Sequence, residues 1–191
     1  MKSLTILVDL DDTIESLCEA WVNCLNNRFG MSVALSDITE WDMTKAFPAL
    51  TKEAVYAPLC EDEFWDTVYP IAGAAEVLQK LIQDGHRIYL VTATDYKTIR
   101  AKMERVVLRH FPFLSWGNVI VTNCKQLIKG DVLIDDAPHN LEGGDYAKIL
   151  MTAPHNRNYD TSSGDIYRAT NWYEIYYLIR WSLCLHDQIN T

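Results

Sequence analysis

Two rhythms of apolar residues alternate along this chain. The first is the short unbroken run: Leu4-Thr5-Ile6-Leu7-Val8 opens the series, and similar runs follow over 87–91, 118–121, 131–134 and 147–151. Runs this short and rich in Val, Ile and Leu predict strands buried on both faces, as in a parallel sheet. A briefer one over 167–169 predicts an edge strand. The second rhythm places apolar residues three and four apart. Ile14, Leu17, Cys18, Trp21, Val22, Leu25 and Phe29 make one such stripe, and Gly30 stops it. Val77, Leu78, Leu81 and Ile82 place a helix between Gly73 and Asp84, with Gly85 as its stop. Ile99, Met103, Val106 and Val107 share one face of a longer helix over 95–110, closed by Pro112. A final helix begins near Asn171, where Trp172, Tyr173, Tyr176 and Tyr177 recur at packing intervals.

After residue 71 strands alternate with helices, which predicts an α/β fold, a parallel sheet with helices on both faces. The span 16–70 breaks that alternation. It carries the first stripe, a helix start at Asp37 with Glu40 three residues on as in a capping box, and a short helix from Thr51 to Pro58. It holds no strand pattern. Residues 1–15 and 71–191 therefore read as one α/β core, and 16–70 as a small helical domain inserted after the first strand.

The 191 residues are 49% hydrophobic, enough for a full core, and carry a formal net charge of −9. With Lys and Arg scattered, that charge argues against a nucleic-acid polymer as partner. A metal and one or two local cations still allow a small anionic substrate. The five cysteines (Cys18, Cys24, Cys60, Cys124 and Cys184) include no CxxC pair and read as reduced thiols of a cytoplasmic protein. The first apolar run ends at Asp9, too short for a signal peptide. Arg180 interrupts the apolar stretch near the C-terminus, so no segment is expected to span a membrane.

The first strand runs straight into Asp9-Leu10-Asp11-Asp12-Thr13. Carboxylates this close repel one another, and a hard cation between them is one remedy. An acidic turn after a strand accounts for the same residues. Other features share the location: Thr92 ends the second strand, Lys125 follows the third, and Asp135-Asp136 end the fourth. Each alone has a plain reading, as a helix cap, a solvated lysine or a turn before Pro138. Together they stand at the carboxyl ends of successive strands, where open α/β sheets bind ligands.

In that order these residues resemble the four motifs of the haloacid dehalogenase (HAD) superfamily of phosphotransferases. Asp9-Leu10-Asp11-Asp12-Thr13 is similar to the first, Thr92 to the second, Lys125 to the third and Asp135-Asp136 to the fourth. The insertion after the first motif sits where that superfamily carries a type C1 cap. A closer similarity, over essentially the whole chain, is to the 5'(3')-deoxyribonucleotidases. It rests on Val121-Thr122-Asn123-Cys124-Lys125 through Gly130-Asp131-Val132-Leu133-Ile134-Asp135-Asp136 at the same spacing, on Phe64-Trp65 before Pro70 and Gly73-Ala74, and on His155-Asn156. Leu17 departs from that family by standing where its mammalian members place an aromatic residue in the base pocket. Ala93 and Thr94 replace its Ser-Pro after the second motif.

The resemblance implies a Rossmann-like HAD core with a C1-type cap, and a Mg²⁺-dependent phosphatase acting on deoxyribonucleoside or ribonucleoside monophosphates. Asp9 would attack phosphorus and form an aspartyl-phosphate. Asp11 would serve as general acid and then base, its carboxyl raised toward protonation by the neighbouring carboxylates. Mg²⁺ would be held by Asp9, the main-chain carbonyl of Asp11, Asp135 and waters, with Asp136 as a ligand or its support. Thr92 and Lys125 would bind the phosphate. Of the aromatic residues in the insertion (Trp21, Trp41, Phe64 and Trp65), Phe64 and Trp65 are the better placed to stack on a base, since Trp21 lies on an apolar helical stripe. Thr13-Ile14 and Tyr69-Pro70 mark where a cap would hinge.

Other readings keep parts of this pattern. A phosphatase for a sugar phosphate or another small phosphomonoester differs only in the cap. A catalytically silent phospholigand-binding relative is disfavoured by the intact Asp11. A phosphoacceptor receiver domain also combines acidic residues, Thr and Lys on a parallel sheet, but there the phosphorylated Asp follows a later strand and no long insertion is present. A homodimer stays open.

Overall fold

The computed structural model of the chain describes residues 3–183, so Cys184 lies outside the described residues. The strands β1 (Thr5–Val8), β2 (Arg87–Thr92), β3 (Val119–Val121), β4 (Val132–Asp135), β5 (Ala147–Met151) and β6 (Ile166–Ala169) form one sheet. Their order is β3-β2-β1-β4-β5-β6, and every neighbouring pair is parallel. The chain moves from β1 outward to β2 and β3, then returns to the far side of β1 as β4. That reversal opens a crevice at the carboxyl ends of β1 and β4, where such sheets receive ligands. Val8 lies in register with Leu90 on one side and Ile134 on the other. Asp9 therefore leaves the sheet beside Asp135 and close to Thr92.

The central strand is apolar because both its faces are covered. Ile6 and Val8 pack with Val77, Leu78, Leu81, Leu90 and Ile134 on one side, and Leu7 with Val91, Leu133 and Leu150 on the other. The helix α3 (Ala74–Gln83) covers the first face with Ala74, Val77, Leu78 and Leu81, whereas Ile82, expected inward, is exposed.

Residues between β1 and α3 include α1 (Leu17–Phe29) and α2 (Lys52–Tyr56) and gather a second apolar cluster of their own. Gly30, at φ 64°, closes α1 in the left-handed conformation that a glycine takes without a Cβ clash. Phe29, the last residue of the predicted stripe, is exposed. Thr51 caps α2 by accepting from the Ala54 N–H, and the chain then tightens into a 3₁₀ turn over Ala57–Cys60 that Pro58 enters rather than stops. The expected helix from Asp37 does not form. The Asp37 carboxylate instead reaches back to the N–H of Ala34 at 2.9 Å and closes a 3₁₀ turn, Leu35–Asp37. Local side-chain bonding has here outcompeted the predicted helix.

The helix over 99–110, α4, runs as Ile99–Lys102, a π-helical segment Met103–Val107, and Leu108–His110. It begins later than the periodicity predicts, because Asp95 holds the N–H of Lys97 in a turn at 2.8 Å. Met103 and Val107 join the main cluster, while Ala101 and Val106 join the cluster of the inserted residues. One helix thus packs against both. Backbone bonds tie the junction: Ser16 N–H to Tyr69 O and Ile71 N–H to Ile14 O, both at 2.9 Å. At the chain's end Trp172 is buried and donates its indole N–H to Thr13 O at 2.9 Å. Tyr173 and Tyr177, expected to pack, lie exposed on the same helix. Among the described residues no helix is long and apolar enough to cross a membrane.

Candidate active site

Every strand end named from the sequence meets at one crevice. Lys125 is buried, and its Nζ contacts Asp9 Oδ1 at 2.5 Å and Asp135 Oδ2 at 2.6 Å. The other oxygen of Asp135 accepts from the Ala137 N–H at 2.9 Å and from Asn140 Nδ2 at 3.1 Å. Asp136 turns the other way. Its carboxylate takes the Thr13 hydroxyl at 3.3 Å and lies 2.9 Å from His155 Nε2. Its main-chain carbonyl accepts from Asn156 Nδ2 at 2.6 Å. Asn156 also holds Met151 O, so one buried amide fixes the loop after β4 against the end of β5.

Asp9, Asp135 and Asp136 bring carboxylate oxygens within 4.8 Å of one another, all buried. Burial pushes the Asp9 carboxyl up to about 7; Lys125 opposes the rise, while Asp135 and Asp11 add to it. Burial likewise raises Asp135 and Asp136 against the pull of Lys125 and His155 respectively. Burial alone would lower Lys125, but Asp9 and Asp135 hold it above its ordinary value, so it stays charged. One ammonium among three buried carboxylates leaves excess negative charge, and this all-oxygen donor set suits a hard divalent cation. Asp12 sits in the left-handed region at φ 51° and accepts from the Cys18 N–H at 2.9 Å. Its carboxyl is raised to about 8 by burial and by Asp136.

Asp11 differs from expectation. Lys102 of α4, itself buried, donates to both Asp11 carboxylate oxygens, at 2.6 and 2.7 Å. Burial works to raise the Asp11 carboxyl, but Lys102 and a hydrogen bond with Glu15 outweigh it and hold it below its ordinary value. The expectation that neighbouring carboxylates raise it is therefore overturned by a cation the sequence reading did not place. Glu15 is wholly buried beside Asp11, and no N–H or O–H donor from a described residue reaches its oxygens. Burial and the charge of Asp11 push its carboxyl well up, so of the two groups Glu15 is the one that favours the protonated form. Lys102 Nζ also stands 4.9 Å from the ring centre of Trp65. A signal for Lys102 existed in the sequence: it falls three residues after Ile99 and four before Val106, on a buried stripe.

Above these groups opens a cavity of about 640 Å³, within the range of small-molecule sites. Asp9, Asp11, Asp12, Lys125, Asp136 and His155 line its floor. Leu17, Cys18, Trp21, Ile38, Trp41, Met43, Tyr56 and Trp65 line the part contributed by the inserted residues. Trp65 thus faces the cavity. Phe64 does not; it is buried in the second cluster, edge-on to Trp65. Trp21 is largely buried and donates its indole N–H to Val55 O at 2.7 Å. Trp41 is 65% exposed and meets His139 edge-on at 6.3 Å across the cavity. Thr92 is buried with a hydroxyl that finds no partner among the described residues, while Ala93 and Thr94 form the wall beside it. The four described cysteines are free thiols.

The family model of the 5' nucleotidase, deoxy (pyrimidine), cytosolic type C protein matches residues 2–184. A 5'(3')-deoxyribonucleotidase of Bacillus subtilis is 35% identical over 172 residues, 89% of this chain and 95% of the relative. One of Clostridium acetobutylicum is 34% identical over 174 residues, 91% and 93% respectively. Among solved structures, a haloacid dehalogenase-like hydrolase of Streptococcus pneumoniae superposes with a TM-score of 0.65 at 16% identity, over 93% of this chain and 99% of that one, and shows the same fold. On this evidence the chain belongs to the 5' nucleotidase, deoxy (pyrimidine), cytosolic type C family, built on a HAD-like α/β fold, and is a phosphatase of the nucleotidase type.

Proposed function

We propose that the chain is a Mg²⁺-dependent phosphomonoesterase that releases phosphate from deoxyribonucleoside monophosphates through a phosphate ester of Asp9. The observation that carries this reading is the buried constellation of Asp9, Lys125, Asp135 and Asp136 at the floor of a cavity walled by apolar and aromatic side chains. In this reading the core is drawn from residues 1–15 and 71–191, of which 3–15 and 71–183 are described, and 16–70 is the cap that closes over the substrate.

In this reading an Asp9 carboxylate oxygen attacks phosphorus in line, and the bond from phosphorus to the ester oxygen breaks. The departing alkoxide takes a proton from Asp11, which draws it in turn from Glu15, the carboxyl pushed well up beside it. A water then gives a proton back to Asp11 and attacks phosphorus, breaking the bond to Asp9 and restoring its carboxylate. Lys125 faces the anionic oxygens of the transferring group, and the unpartnered Thr92 hydroxyl is free to donate to one of them. Asp9, Asp135, Asp136 and the Asp11 carbonyl would hold Mg²⁺, which lets an anionic nucleophile approach an anionic phosphate. Trp65, Trp21, Trp41 and Leu17 give the nucleoside an apolar seat.

Phosphate release is measured with a panel of deoxyribonucleoside and ribonucleoside 5'- and 3'-monophosphates, sugar phosphates and an aryl phosphate, with and without Mg²⁺. Deoxyribonucleotides are expected to be the best substrates, and turnover to vanish with chelator. Asp9→Asn is expected to lower turnover by at least about 10³-fold while leaving the fold intact. Release from sugar phosphates alone overturns the substrate assignment, and near-normal activity in Asp9→Asn overturns the mechanism.

A further inference from the structure

Asp11 has one acceptor job and one donor job in the reaction proposed above, and they require its carboxylate to point at the ester oxygen and then at the water that replaces it. Its own backbone does not guarantee that. The side chain is about a third exposed, at 32%, and is anchored only by its neighbours. The anchor is Lys102, whose ammonium spans both carboxylate oxygens at 2.6 and 2.7 Å. Lys102 comes from α4, in the core, yet the other face of its ammonium rests on the indole of Trp65, in the inserted segment, at 4.9 Å. A cation over an aromatic face is attracted by the ring quadrupole, most strongly when both are dry. Both are: Lys102 and Trp65 are each 2% exposed. Trp65 is itself fixed, since its indole N–H donates to Leu59 O at 3.1 Å.

Nearby contacts hold α4 and this segment together. Arg100 binds Asp62, and Arg105 binds Asp66, on either side of Trp65. Ala101 and Val106 are packed into the same apolar cluster as Phe64 and Trp65. Lys102 is the member of this interface that reaches through it to the reaction centre.

Resting on the phosphatase reading, we propose that Lys102 is a positioning residue for Asp11 and that the indole of Trp65 sets Lys102, so that seating the cap segment 62–67 against α4 fixes the acid–base group in place. Trp65 then does more than line the substrate cavity. Lys102 stands apart from the phosphate-binding cation, Lys125, which contacts Asp9 and Asp135.

The test is the dependence of kcat/KM on the leaving group, across substituted phenyl phosphates of one size and graded phenol acidity. kcat/KM reports events up to departure of the phenol, where a well-placed acid matters most for the poorest leaving groups. The wild type is expected to show a shallow slope. Lys102→Met is expected to steepen it, losing about 10²-fold on the least acidic phenol and only a few-fold on the most acidic. Trp65→Leu is expected to steepen it in the same sense, and the double variant no further than Lys102→Met. Lys102→Arg and Trp65→Phe, which keep a cation and a ring, should fall between. A uniform loss across the series in Lys102→Met would mean that Lys102 acts on the phosphate itself and would overturn the proposal. An unchanged slope in Trp65→Leu, or additive losses in the double variant, would overturn the coupling to Trp65. Should Lys102→Met fail to fold, as judged by circular dichroism, the slopes of Trp65→Leu and Lys102→Arg decide. A wild type that hydrolyses none of these esters in Mg²⁺ would instead count against the phosphatase reading.

Discussion

At the scale of single residues, Asp9 would link protons to the metal proposed for this site. Its folded value of about 7 lies above the ordinary aspartate value of about 4. Between those values the metal-free folded chain keeps a proton on Asp9 that the unfolded chain has lost. Stability from this group therefore falls as pH rises through that window. A hard cation takes the carboxylate form and must displace that proton. Mg²⁺ affinity is therefore expected to climb between about pH 5 and pH 7, by up to about tenfold per unit, and to level off above. Titration calorimetry across that range checks this, and a dissociation constant independent of pH refutes it. Asp9, Thr92, Lys125 and Asp135-Asp136 were legible in the sequence because each ends or follows a strand, a place that a run of apolar residues marks. Lys102 and Glu15 were not. A lysine amid Arg100, Glu104 and Arg105 looks like the solvated side of a helix, and only its spacing from Ile99 and Val106 betrays burial. Glu15 stands next to a helix start, where carboxylates are ordinary, and nothing in its spacing marks it as buried.

At the scale of elements, α4 carries two kinds of contact with the segment 62–67, and they differ in worth. Arg105 and Asp66 remain partly in water, at 31% and 46% side-chain exposure, so their pair contributes under about 1 kcal/mol. Val106 is fully buried in the second cluster, and trimming it to alanine costs about 2 kcal/mol through lost burial and the space left behind. Urea unfolding should therefore show a clear fall in midpoint for Val106→Ala and a small one for Arg105→Ala; the reverse order would mean that charge, not packing, holds the segment on α4. The helical stripes of α1, α3 and α4 were readable, since amphipathic spacing survives whatever the partner is. Their ends were less so. Asp37 and Glu40 matched a capping box in type and spacing, yet the Asp37 carboxylate found the Ala34 N–H first. Asp95 in the same way delayed α4 by holding Lys97. Short polar side chains bond whichever backbone group lies nearest, and sequence spacing alone does not say which that is.

For the whole molecule, the decisive fact is strand order. The sequence showed strands alternating with helices and so a parallel sheet, but the order β3-β2-β1-β4-β5-β6 is a property of long-range packing. That order sets β1 between β2 and β4, and it is this adjacency that turns separated motifs into one crevice. The inserted residues have their own apolar cluster, which on its face suggests a part that could unfold separately. Three features oppose that. α4 is shared, with Met103 and Val107 in the main cluster and Ala101 and Val106 in the second. The junction is bonded in both directions, through Ser16 to Tyr69 and Ile71 to Ile14. Lys102 of α4 joins Asp11 of the core to Trp65 of the inserted residues, its ammonium paired with the Asp11 carboxylate and set 4.9 Å from the indole centre. Loss of the second cluster would uncover one face of α4 and loosen the helix that the main cluster needs. Unfolding is therefore expected to be a single cooperative transition. The fluorescence of the tryptophans, of which Trp21, Trp41 and Trp65 report on the inserted residues, and the far-ultraviolet circular dichroism, which is weighted to the whole fold, should share one midpoint in urea. A fluorescence change that precedes the loss of dichroism would show instead that the inserted residues come away from α4 while the sheet persists, and the coupling between Trp65 and Asp11 would then be made and broken within the native state.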